Sequence, residues 1–132
     1  MDAIAEIEQT LGAQLPRDYV SFLFTHRAVE EAGMHLASNP DYWGLRMLFD
    51  TNDELLHSNV AEVLRLVQDV IPPGTLPIAE DWSGNMYLLV CKGANQGHVV
   101  WWSHERELGD ISVDRVANSF SQFKALIRRE AP

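Results

Sequence analysis

The strongest constraint on this chain is a change of hydrophobic period along it. Leu56, Val60, Val63, Leu64, Val67 and Val70 recur with the spacing of one helix face. Pro72, Pro73 and Gly74 then end that pattern. Beyond them the apolar residues come in short runs rich in β-formers, at 76–79, 85–91 and 98–103. Polar turn segments, 81–84 and 92–97, separate the runs, and the second reads as a hairpin connection. Helices that precede the strands, rather than alternate with them, predict an α+β fold.

The remaining elements follow from caps and breakers. Asp2 is placed to cap a first helix carrying Ile4, Ile7 and Leu11 on one side, with Gly12 as its terminating glycine. Pro16 suits the first position of a second helix, where its missing N–H would be unbonded anyway. Asp18 falls in that helix's first turn, and Tyr19, Phe22 and Leu23 face inward. Residues 28–42, with Gly33, Ser38, Asn39 and Pro40, read as an irregular link, and 43–49 as a strand. Thr51, Asn52 and Asp53 are each able to cap a third helix, with a break expected near Ser58 and Asn59. A short extended piece is expected over 111–116. Ser119 and Gln122 have capping-box spacing before a last helix that turns Phe120, Phe123 and Ile127 inward. Arg128 and Arg129 stand at its C-terminal end, where cations suit the dipole.

A chain of 132 residues is expected to form one domain, 1–132, burying roughly two-thirds of its unfolded surface. Its single cysteine, Cys91, allows no internal disulfide. The N-terminus carries acids and no apolar h-region, and no run approaches the length of a spanning helix, so a cytoplasmic protein is expected. The net charge of −9 disfavours nucleic acid and anionic membrane and favours basic partners, although the same charge also serves solubility.

Three stretches, LPRDYVSFL from Leu15, LPIAEDWSGNMYLLV from Leu76 with HVVWWSHE from His98, and VANSFSQFKALI from Val116, occur in an order that resembles the SUKH superfamily. These SMI/KNR-like domains include bacterial immunity proteins and fungal cell-wall synthesis regulators. The resemblance implies a single mixed or antiparallel sheet flanked by helices, with no cofactor and no catalytic centre. It also implies a protein partner: for bacterial members, a cognate toxin, often a nuclease or deaminase. The chain departs from the pattern after the second helix, where Thr25-His26-Arg27 stands in place of an Asn-Gly-Gly turn.

The chemical groups read the same way. No HExxH, P-loop, GxSxG or GxGxxG motif is present. His98 and His104 share strand parity, yet six strand residues separate them by about 20 Å, too far for one metal ion. Cys91 lies among Leu88, Leu89 and Val90 and reads as a buried small hydrophobe. Trp101 and Trp102 must face opposite sides of the sheet. Trp82 has no evident core duty and suits an interface anchor, its alternative being a ring folded over the sheet edge. The acids pair along the chain as Glu30-Glu31, Asp53-Glu54, Glu80-Asp81 and Glu105 with Glu107. Trp43, Glu80, Asp81, Trp82 and Glu105 are the candidate partner-binding residues, with no catalytic, cofactor or metal residue assigned. The expected function is an immunity protein that occludes a toxin with a basic surface. A regulatory or scaffold domain of the same superfamily and a metal-dependent hydrolase are the alternatives.

Overall fold

The computed structural model describes residues 3–28, 30, 33–37, 44–51, 56–103 and 114–129. Helix α1 (Ala3–Leu11) buries Ile7 and Leu11. It ends at Gly12, which takes the left-handed φ of 68° so that its N–H and that of Ala13 both donate to the Glu8 carbonyl. Helix α2 (Arg17–Thr25) starts one residue later than expected, with Pro16 as the preceding cap. Tyr19 and Leu23 are buried and Phe22 is half-buried against the core. Asp18 does more than favour the dipole: its Oδ2 accepts from the Ser121 N–H at 2.9 Å and the Ser121 hydroxyl at 2.7 Å, tying α2 to the last helix.

The link after α2 contains a strand that the sequence reading did not foresee. β1 (His35–Leu36) pairs antiparallel with β7 (Ile127–Arg128), joining the link after α2 to the segment near residue 128. The strand expected over 43–49 is shorter, β2 (Met47–Leu48). Asp50, buried beyond it, accepts from the Ala28 N–H at 2.9 Å through its carboxylate and from the Val60 N–H at 2.7 Å through its carbonyl. These bonds seat a 3₁₀ turn (Leu56–Ser58) and helix α3 (Val60–Val67). The break near Ser58 and Asn59 is therefore real. Asn59 is the cap, its side chain accepting from the Glu62 N–H at 3.1 Å. This corrects the assignment of the cap to 51–53: Thr51 lies outside any helix, while Asn52 and Asp53, like Asp2, lie outside the described residues. Val70 is half exposed, past the helix end, rather than part of its buried stripe.

β3 (Thr75–Glu80), β4 (Met86–Val90), β5 (Val99–Trp102) and β6 (Asp114–Ala117) complete a five-stranded sheet in the order β2-β3-β4-β5-β6. Every pairing between these strands is antiparallel, which settles the expected mixed or antiparallel sheet as antiparallel among the described residues; β1 and β7 form a separate two-stranded ribbon. Helix α4 (Phe120–Ala125) begins as predicted: the Ser119 hydroxyl accepts from the Gln122 N–H at 3.0 Å. The return bond reaches Asn118, one residue earlier than a reciprocal box requires. Ile127 leaves the helix for β7, correcting its expected place on the inward stripe. The Arg128 guanidinium donates to the Ala125 carbonyl at 2.8 Å, covering the helix's C-terminal end.

Aromatic contacts join these layers. Tyr19 meets Phe120 edge-on at 4.9 Å between centroids, and Phe123 lies 5.4 Å from Tyr87 of β4. Helices α2 and α4 thus pack together and onto the face of the sheet that carries Tyr87. Trp102 points away from Trp101, as strand parity requires, and is almost fully buried.

Candidate functional site

The turn between β3 and β4 gathers three of the five candidate residues and gives them different jobs. Asp81 organises the turn. Its Oδ1 accepts from the main-chain N–H groups of Ser83 and Asn85, each at 2.9 Å. Its Oδ2 accepts from the Asn85 side-chain amide at 3.1 Å and from the Trp101 indole N–H at 3.3 Å. The Asp81 N–H closes the loop by donating to the Asn85 carbonyl at 2.9 Å. Gly84 supplies the left-handed φ of 87° that the last step of the turn needs. An Asp at the start of such a turn satisfies the part-buried Asn85 N–H and the exposed Ser83 N–H together.

Glu80 ends β3 and is partly buried. Burial pushes its carboxyl above the usual carboxylate range, opposed mainly by Arg46 beside it. Arg46 lies just before β2, and its N–H donates to the Glu80 carbonyl at 2.8 Å while its Nη1 donates to Glu80 Oε1 at 2.7 Å. Its Nη2 pairs with Glu30. The same guanidinium lies over the Trp82 ring, 5.7 Å from the centroid.

Trp82 is the outward feature of this arrangement. It is 55% exposed in the turn, with the Arg46 guanidinium over its ring and none of the core burial that Trp102 has. Glu80 and Asp81 are occupied by internal bonds, so they shape and charge the surface and hold Trp82 out. Two carboxylates, Glu30 and Glu80, pair with the Arg46 guanidinium, and Asp81 adds a third at the head of the turn, leaving the patch acidic. Trp43 and Glu105 lie outside the described residues, as do Glu31, Asp53, Glu54, His104 and Glu107. Arg46 was missed by sequence reasoning. Its partner Glu80 is 34 residues away, and nothing local marks it. The Asp-x-Ser-x-Asn spacing of 81–85, by contrast, is a legible sign of a side-chain-braced turn.

Elsewhere, Cys91 is buried and its thiol is pushed up to about 12, chiefly by burial, which keeps it protonated and un-nucleophilic at neutral pH. Among the described residues no three His, Cys, Asp or Glu side chains are grouped to hold a metal ion. No helix among them is long and apolar enough to cross a membrane.

The α+β topology, a five-stranded antiparallel sheet with helices, is consistent with a domain of the SUKH kind. The SMI1 / KNR4 family (SUKH-1) matches residues 1–125, and the chain belongs to that family. The chain is also similar to the SPbeta prophage-derived uncharacterized protein YokK of Bacillus subtilis (strain 168), 25% identical over 142 aligned positions that cover 92% of this chain and 71% of that protein. No solved structure matches the chain.

Proposed function

We propose that this protein is an immunity protein: it binds a cognate toxin and neutralises it by occlusion, without turnover. The observation that carries this reading is the Trp82 turn. A large aromatic side chain is held in solvent by a scaffold that satisfies its own polar groups, which is how an interface anchor is prepared before a partner arrives. Membership of SUKH-1 and the prophage origin of its Bacillus subtilis relative support the same reading. The acidic frame of Glu30, Glu80 and Asp81 suits a toxin with a basic surface, steering its approach more than adding affinity.

In this reading Trp82 is the central anchor and Arg46 is a positioning residue that fixes its ring. Glu80 and Asp81 act through the shape and charge of the turn. Trp43 and Glu105 are proposed as further contacts. Binding rather than turnover is supported by the inert thiol of Cys91 and the internal engagement of both turn carboxylates.

The test is protection. The chain is co-expressed with the toxin encoded beside it, in cells that the toxin alone kills. Survival that depends on Trp82 supports immunity. Death despite a folded, expressed protein contradicts it and leaves the regulatory or scaffold role of the same superfamily.

A further inference from the structure

A hollow lies at the other end of the sheet from the Trp82 turn. Thr75 and Val90 pair where β3 begins and β4 ends, whereas Glu80 and Met86 pair beside the Trp82 turn. Five strand residues separate the two ends, about 16 Å. The hollow at the Thr75 end has a volume of about 490 Å³. That lies within the range of small-molecule sites, roughly 300–1,000 Å³.

Its lining divides by chemistry. Val90 and Val100 form an apolar floor, with Pro72 and Pro73 as one wall. Lys92 and Arg115 supply positive charge, and His98 and Asn95 supply hydrogen-bonding groups. In a chain of net charge −9, no carboxylate occurs among the described residues that line it. Two cations over an apolar floor suit a molecule with a matching division. Arg115 offers the planar fork that meets a carboxylate or phosphate with two parallel bonds.

The walls are also held in place. The 92–97 loop is braced by the Gly97 N–H donating to the Val90 carbonyl at 2.8 Å and the His98 N–H donating to the Asn95 carbonyl at 3.0 Å. Gly93 and Gly97 take left-handed φ angles of 88° and 96°, which let the loop turn so tightly. The Thr75 hydroxyl donates to the Pro72 carbonyl at 2.6 Å, and the Cys91 N–H to the Gly74 carbonyl at 2.8 Å. The Lys92 stem lies against Gly74, where an added Cβ would come within 3.2 Å of its own Cβ. That contact sets Lys92 on the rim, between this hollow and a smaller one of about 250 Å³. A site whose walls are already fixed loses little ordering entropy on binding.

We propose that this hollow binds a small organic anion, one with an apolar body and a carboxylate or phosphate group. The site is separate from the Trp82 surface and does not depend on the toxin reading. The probe is phenyl phosphate, titrated into the ¹⁵N-labelled full chain, with amide shifts and thermal melting as readouts. Phenol and inorganic phosphate are the comparators, each lacking one half of the ligand. The expected result is saturable shifts at Val90, Cys91, His98 and Val100 with phenyl phosphate and much weaker responses to either comparator. Arg115→Ala weakens binding about ten-fold, the effect of losing one charge-assisted contact. Arg115→Glu abolishes it, and Trp82→Ala leaves it unchanged. Melting temperatures show that each variant is folded, and the shift map of the unaltered chain needs no variant. The proposal is overturned by no saturation below about 10 mM, by equal responses to phenyl phosphate and inorganic phosphate, or by binding that survives Arg115→Glu. A response to tetraglutamate with none to phenyl phosphate also overturns it, by assigning the cations to a peptide.

Discussion

Replacing Asp81 tests whether the turn is built by one carboxylate. Asp81→Ala removes four accepted hydrogen bonds at once. The Ser83 N–H is exposed and water replaces its partner at little cost. The two Asn85 donors and the Trp101 indole are half-buried, and each lost bond to a charged acceptor in such a setting costs about 1 kcal/mol. The sum is about 2–3 kcal/mol, which for a chain of this length lowers Tm by about 7–10 °C. Asp81→Asn discriminates further. It keeps an oxygen at the Oδ1 position for Ser83 and Asn85, but places an amide where Oδ2 accepted from two donors. About half the loss is expected, so the order of stability is wild type, then Asn, then Ala. Melting followed by circular dichroism and calorimetry reads both variants. An alanine variant within about 1 °C of wild type, or an asparagine variant as unstable as alanine, would refute the reasoning.

Asn59→Ala removes the cap of α3 and is expected to cost about 1 kcal/mol, or 3–4 °C in Tm, whereas Thr51→Ala leaves the helix start unaffected. The raised Cys91 pKa sets the sign of an alkaline effect. The unfolded chain releases the thiol proton first, from about pH 8.5, so stability falls as pH rises from there towards about 12. Cys91→Ala flattens that slope in denaturant titrations at several pH values, and a thiol reagent leaves the native Cys91 unmodified. The Tyr19 hydroxyl is buried with no hydrogen-bond partner among the described residues, so Tyr19→Phe is expected to leave chemical-denaturation stability unchanged or raise it by up to about 1 kcal/mol.

What was legible in the sequence was local. Gly12 and the Ser119–Gln122 spacing announce helix ends within one turn of chain, and the structure uses both. The β3 to β5 strands are legible because their runs are short, β-branched or aromatic, and separated by turn residues. The cap of α3 was misplaced because several cap-forming residues follow one another. The choice among them is made by Asp50, whose bonds to Ala28 and Val60 fix where the helix can begin. β1 and β7 were invisible because two-residue strands have no period, and their pairing joins residues about ninety positions apart. At the site, exposure of Trp82 followed from its place in a turn. The roles of Asp81 and Arg46 required the structure, since Trp101 and Glu80 come to them from distant strands.

The central claim is that Trp82, held outward by its braced turn, anchors a toxin that the protein neutralises by holding it. Isothermal titration of the purified chain into a candidate toxin taken from a neighbouring gene measures this directly, for wild type and Trp82→Ala. The prediction is a saturable complex in which Trp82→Ala loses about 2 kcal/mol or more of binding, roughly thirty-fold in Kd, with Tm unchanged. A Trp82→Ala variant that binds with wild-type affinity contradicts the assignment of the anchor, and a wild-type chain that does not bind contradicts the function.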